Sequence, residues 1–147
     1  MRRVVAHTIS QALEMTSSGQ TLKGLRLRAS EDLVCRNIMC GQVGLACPCR
    51  LTRLLSKHGH LLEELDLGRN GLSEIPPAAL SELSNLEFLN VAGNPMASSA
   101  ILAAAKSLPC LRRLTVSSDQ VSGRAFEDLR KEMAHVDISL ETMEQVE

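Results

Sequence analysis

Apolar residues along this chain alternate locally and recur over a longer period. The text from Leu62 reads LEELDLGRNGL, from Leu86 LEFLNVAGNPM and from Leu111 LRRLTVSSDQV. The first, fourth and sixth places are apolar each time: Leu62, Leu65, Leu67; Leu86, Leu89, Val91; Leu111, Leu114, Val116. Residues two apart share one face of a strand, so Leu65 and Leu67 turn inward while Glu64, Asp66 and Gly68 turn out. A fixed period of about two dozen residues signals stacked units, each burying its apolar side on the next. Weaker copies flank this array, with Leu22, Leu25 and Leu27 in TLKGLRLRASEDL and Val136 and Ile138 in AHVDISL. The pattern predicts five short strands, around residues 24–28, 64–68, 88–92, 113–117 and 135–139. Parallel strands need crossovers, and the segments between them read as helix or extended turn. SSAILAAAKSL predicts a helix with Ile101, Leu102 and Leu108 inward, and GRAFEDLRKEMAH sets Phe126, Leu129 and Met133 at helical spacing. SEIPPAAL, with Pro76 and Pro77, should begin extended and turn helical through LSEL. Ahead of all this, Val5, Ile9 and Leu13 recur every four residues, which predicts an N-terminal helix covering the open end of the stack.

Three places after each sixth-position residue stand Asn70, Asn94 and Asp119. The whole pattern, LxxLxLxxNxL, resembles the leucine-rich repeat family from Leu62 to Val121. The resemblance implies an α/β solenoid of about five short parallel strands, with helices or extended turns on the convex side. It also implies an asparagine ladder, in which a buried amide satisfies backbone groups of the turns. A carboxylate at Asp119 accepts hydrogen bonds but cannot donate as an amide does, so a looser rung is expected there. The expected layout is a capping helix over 1–21, repeats over 22–139 with a Cys-rich insertion at about 33–57, and an acidic tail over 140–147.

That insertion breaks the period. Forty residues separate Leu22 from Leu62, and four of the five cysteines fall between them: Cys35, Cys40, Cys47 and Cys49. Four thiolates can hold zinc tetrahedrally. The spacing C-x4-C-x6-C-x-C matches no standard zinc knuckle, however, and Cys also serves as a small buried hydrophobe. Buried thiols without a cofactor are the expectation, and a zinc-thiolate module is the alternative. Cys110 reads as a turn residue. His58 and His60 follow a helical stretch that Gly59 should stop, which makes them solvated end residues.

Composition changes the picture in three ways. Net charge is −1, so no large field favours nucleic acid or anionic lipid. Trp and Tyr are absent and Phe occurs twice, too few for base-stacking platforms. An odd cysteine count, no secretory opening and no Asn-x-Ser/Thr site favour a reducing, cytoplasmic setting. The alternative is a mitochondrial presequence, because Arg2 and Arg3 precede the first acid, Glu14. No stretch is long and apolar enough to span a membrane.

No nucleophile elbow, phosphate loop, dinucleotide fingerprint or HExxH helix occurs, so an enzyme is not expected. The outward face of the sheet remains. Its first column runs Gly24, Glu64, Phe88, Arg113. The second runs Arg26, Asp66, Asn90, Thr115, Asp137, and the third Arg28, Gly68, Ala92, Ser117, Ser139. In similar proteins the concave face binds another protein. The resemblance therefore points to Arg26, Glu64, Asp66, Phe88, Asn90, Arg113 and Thr115 as partner-binding residues. Arg26 beside Asp66 also reads as a plain cross-strand pair. The function expected is a non-catalytic interaction module or small subunit of a multi-subunit intracellular complex. A substrate-recognition subunit of a ubiquitin ligase is a further alternative, although no F-box-like segment lies upstream.

Overall fold

A computed structural model of the chain describes residues 5–27, 49–121 and 123–141. Within them six parallel strands lie side by side in chain order: β1 (Val5–Ala6), β2 (Gly24–Arg26), β3 (Glu64–Asp66), β4 (Phe88–Asn90), β5 (Arg113–Ser117) and β6 (Asp137–Glu141). Among the described residues one α-helix falls in each gap: α1 (Ile9–Ser17), α2 (Cys49–His58), α3 (Pro77–Leu80), α4 (Ser98–Lys106) and α5 (Arg124–Glu132), with a 3-10 turn (Gly59–Leu61) after α2. This is the α/β solenoid that the periodicity predicts.

The register explains why the period is so strict. Leu25, Leu65, Leu89, Leu114 and Ile138 are directly opposite one another on successive strands. The first four are at most 1% exposed, and Leu62, Leu67, Leu86, Val91 and Val116 are equally buried around them. Each such side chain contributes about 1.5–3 kcal/mol by leaving water. A one-residue slip would turn the whole inward row outward, so the alternation fixes the pairing. Helices complete the core from the other side with Leu51, Leu55, Ile101, Ala105 and Leu129.

Several sequence expectations need correction. There are six strands among the described residues, not five, because the N-terminal stretch opens as β1 before its helix begins. The reason is local. Thr8 is the N-cap of α1, its hydroxyl accepting from the Gln11 N–H at 2.9 Å while the Gln11 side chain accepts from the His7 N–H at 2.7 Å. Thr8-Ile-Ser-Gln11 thus resembles a capping box, with the glutamine reaching the N–H before the cap, and marks the start of the helix at Ile9. The buried face of α1 is Ile9 and Ala12, and Leu13, expected inward, is 47% exposed. At the other end β6 begins two residues later than expected and takes in Leu140 and Glu141, which were assigned to the acidic tail. Asp137 consequently stands beside Arg113 in the first outward column, Ser139 beside Thr115 in the second and Glu141 beside Ser117 in the third. Helix α2 fills the last part of the supposed insertion and is stopped at Gly59 as expected. After Pro76, α3 lasts only four residues, and LSEL does not continue it. Phe126 is half-buried rather than central, with the Arg130 guanidinium 5.6 Å from its ring centre.

The amide ladder exists, but its last rung is not the expected residue. Asn70 donates to the Leu27 and Leu67 carbonyls at 2.8 and 2.9 Å. Asn94 donates to Leu67 and Val91 at 2.8 and 2.9 Å, and its oxygen accepts from the N–H groups of Asn70 and Leu72. Where Asp119 was expected, Gln120 serves instead. Its amide donates to Val91 and Asn94 carbonyls at 2.9 and 2.7 Å and accepts from the Ser117 N–H at 2.8 Å. Asp119 is exposed. A carboxylate has no N–H to give, and a glutamine one place further on supplies both the donor and the extra methylene of reach.

Candidate functional site

Short strands with a strict register bring one column of side chains together on the concave face. Gly24, Glu64, Phe88, Arg113 and Asp137 are successive neighbours across β2 to β6. The last four form the floor of an open groove of about 700 Å³, walled by Glu63, Glu87, Arg112 and His135 at the ends where the strands enter the sheet. Phe88 is half-buried in the middle, with Glu64 on one side and Arg113 on the other. An aromatic ring between charges of both signs provides an apolar contact with polar anchors around it.

The acidic side of the groove is already engaged by the protein itself. Glu64 is 6% exposed, and the Arg26 guanidinium donates to both of its carboxylate oxygens, at 2.6 and 3.3 Å. A two-point contact of this kind is the strong form of an ion pair. The hydrogen bond first, and then the charge of Glu64, raise the Arg26 pKa above its ordinary value. A guanidinium with a raised pKa stays protonated at every pH below its folded value, so its side of the pair persists across the working range. Gly24 lies beside this pair: a Cβ there would come within 3.0 Å of Val5 Cγ2 but would sit at an ordinary contact distance, 3.6 Å, from Glu64 Oε1, so the missing side chain makes room for Val5 rather than for the carboxylate. The cross-strand pair expected between Arg26 and Asp66 is thus a diagonal one between Arg26 and Glu64, although Arg26 and Asp66 are opposite in register. At the rim Lys23 lies 3.5 Å from Glu63 and Arg112 lies 3.8 Å from Glu87.

The second column is divided between structure and surface. The Asp66 carboxylate accepts from the Gly68 N–H at 2.9 Å and the Asn90 amide oxygen from the Ala92 N–H at 2.9 Å, so both close the turn that leaves their own strand. Asn90 is 6% exposed and therefore presents little to a partner. Thr115 is half-buried, while Arg26, Arg113, Asp137 and Ser139 are exposed. Gly68, Ala92 and Ser117 are buried, so the third column is not open surface; Arg28 lies outside the described residues. Beyond the strand exits Arg69 reaches Glu141 at 3.8 Å, linking the end of β3 to the end of β6.

His135 and Asp137 belong to the groove; the sequence reading set Asp137 in the second outward column and counted neither among the partner-binding residues. The two-residue displacement of β6 was the obstacle for Asp137. Of the four candidate zinc ligands, Cys35, Cys40 and Cys47 lie outside the described residues, and Cys49 is half-buried at the start of α2. Among the described residues no group of three or more His, Cys, Asp or Glu is placed to hold a metal ion. Among them too, no helix is long and apolar enough to cross a membrane.

Residues 51–96, from α2 through the turn after β4, match the family model described as leucine rich repeat. No curated protein matches the chain.

Proposed function

The chain is a leucine-rich repeat protein, and from that premise we propose that it holds another protein against the concave groove, as a non-catalytic module within a larger cytoplasmic assembly. Leucine-rich repeat domains generally mediate protein–protein interaction. The observation that supports this groove as the contact is Phe88, half-buried in the column between Glu64 and Arg113. Glu64 is committed to Arg26 and contributes position, so the residues that meet the partner are Phe88, Arg113, Thr115, Asp137 and His135. No cofactor takes part in this reading.

Affinity purification of the tagged chain, followed by mass spectrometry, identifies the partner. Phe88→Ala should then weaken binding by about 1–3 kcal/mol, and Arg113→Glu should act in the same direction, with folded stability unchanged within about 1 kcal/mol. Lys106→Ala on α4 is the control. A partner retained by both groove variants but released by changes on the helices would overturn the assignment. Metal analysis of the purified chain should give no stoichiometric zinc. One zinc per chain, with structure lost on chelation, would favour the zinc-thiolate alternative instead.

A further inference from the structure

We propose that the segment held in the concave groove presents a primary amide, from asparagine or glutamine, to Arg113 and Asp137, with an apolar side chain two residues away on Phe88. This rests on the groove as the contact surface and names the chemistry that the groove selects.

Most charges along the groove are met from within the protein. Glu63 has Lys23 at 3.5 Å, Glu64 holds both contacts of the Arg26 guanidinium, and Glu87 has Arg112 at 3.8 Å. Arg113 and Asp137 differ. They stand directly opposite one another on β5 and β6, and both are exposed. Among the described residues neither side chain forms an ion pair or a hydrogen bond. Their neighbours Leu114 and Ile138 continue the inward row, so Arg113 and Asp137 point into the groove that they line. The groove therefore offers a donor group and an acceptor group side by side, next to the Phe88 ring.

Charge balance selects the occupant. A carboxylate would meet Arg113 but lie against Asp137, and an ammonium group would meet Asp137 but lie against Arg113. Like charges so placed repel across one strand spacing. A neutral primary amide avoids both contacts, because its carbonyl accepts from the guanidinium while its NH₂ donates to the carboxylate. A backbone peptide unit does not serve, since its N–H and C=O point in opposite directions in the trans form. His135 at the rim, as a neutral ring, carries one donor and one acceptor and opposes no amide. Spacing adds the apolar neighbour. Strands lie about 4.8 Å apart, so the midpoint of Arg113 and Asp137 is about 7 Å across the sheet from Phe88. An extended segment crossing the strands sets alternate side chains about 6.7 Å apart, so apolar–any–asparagine spans that distance.

The test uses the full chain, isotopically labelled, with three probes: acetyl-Leu-Ser-Asn-Ser-Leu-amide and its counterparts with aspartate or lysine at the centre. A leucine on each side lets either chain direction serve. At millimolar concentration the asparagine peptide should shift the Phe88 ring signals and the Arg113 Nε–H signal. The charged peptides should bind about fivefold more weakly, the ratio that one exposed like-charge contact implies. Asp137→Ala should bring the aspartate peptide to first place, and Arg113→Ala the lysine peptide. Exchanging the charges, Arg113→Asp with Asp137→Arg, should restore asparagine to first place, because an amide can turn over and a charged group cannot. A charged peptide that binds the wild-type chain as tightly as the asparagine peptide overturns the proposal. So does the absence of any shift at Phe88 and Arg113. Phe88→Ala separates the two readings. If it weakens all three peptides and asparagine is not first, the amide assignment alone fails; if it weakens none, the groove itself is the wrong surface.

Discussion

Between β3 and β4 the chain advances 24 residues, and the coil closes with an asparagine six places after each strand begins. Between β4 and β5 it advances 25 residues, and the closing amide is a glutamine seven places on. Both coils leave the Leu67 or Val91 carbonyl bonded to a side-chain amide of the following coil. The comparison shows that the fold specifies a donor and an acceptor at a point in space, and a residue type at a sequence position is only one way of meeting it. It also separates the two regions energetically. The central coils are sealed on both sides by neighbours, whereas among the described residues β6 pairs with β5 alone and has a partly exposed inward row.

The largest test of that contrast is in the core. Leu89→Ala in the sealed centre should destabilise by about 2–5 kcal/mol through lost transfer energy and a cavity, and in so thin a stack this can unfold the domain. Ile138→Ala at the open end should cost less than half as much, because water already reaches the site. Equal losses in urea denaturation would mean the end is as well packed as the middle. Next in size is the ladder. Asn94→Ala removes the acceptor of two N–H groups and the donor to two carbonyls, so a loss of about 1–3 kcal/mol is expected. Gln120→Ala should fall near the lower end of that range, and Asp119→Ala should change stability by no more than about 0.5 kcal/mol. If Asp119 proved costly and Gln120 neutral, the final rung would have to be reassigned.

How much of this was legible depends on what each residue's signal was. Leu65, Leu89 and Leu114 were readable because period-two alternation has one solution when a face is buried. The outward columns through β5 followed from the same register. The β6 offset was not, since AHVDISL alternates equally well from either start and only pairing with the longer β5 settles it. Thr8 and Gln11 carried a legible capping signal that the four-residue spacing of Val5, Ile9 and Leu13 concealed. The glutamine rung could not be read from consensus spacing, because it is met by reach. In the groove, Phe88 and Arg113 were identifiable from register alone. That Glu64 belongs to Arg26 depends on a diagonal contact between neighbouring strands, which no spacing rule states.

Arg69 gives the concave face a mechanical property. It occupies the place that Gly93 holds one coil later, and both have positive φ, 58° and 78°. An L-residue there carries about 1–2 kcal/mol of conformational cost that glycine avoids. Its guanidinium, joined to Glu141, acts as a chord drawn across the arc of the sheet, from the exit of β3 to the end of the last strand. Flattening the arc stretches the chord, and salt slackens it, because screening weakens an ion pair that water can reach. Arg69→Gly should therefore raise the melting midpoint yet broaden the distance between spin labels placed at Arg26 and Ser139. Added salt should broaden that distance in the wild-type chain alone.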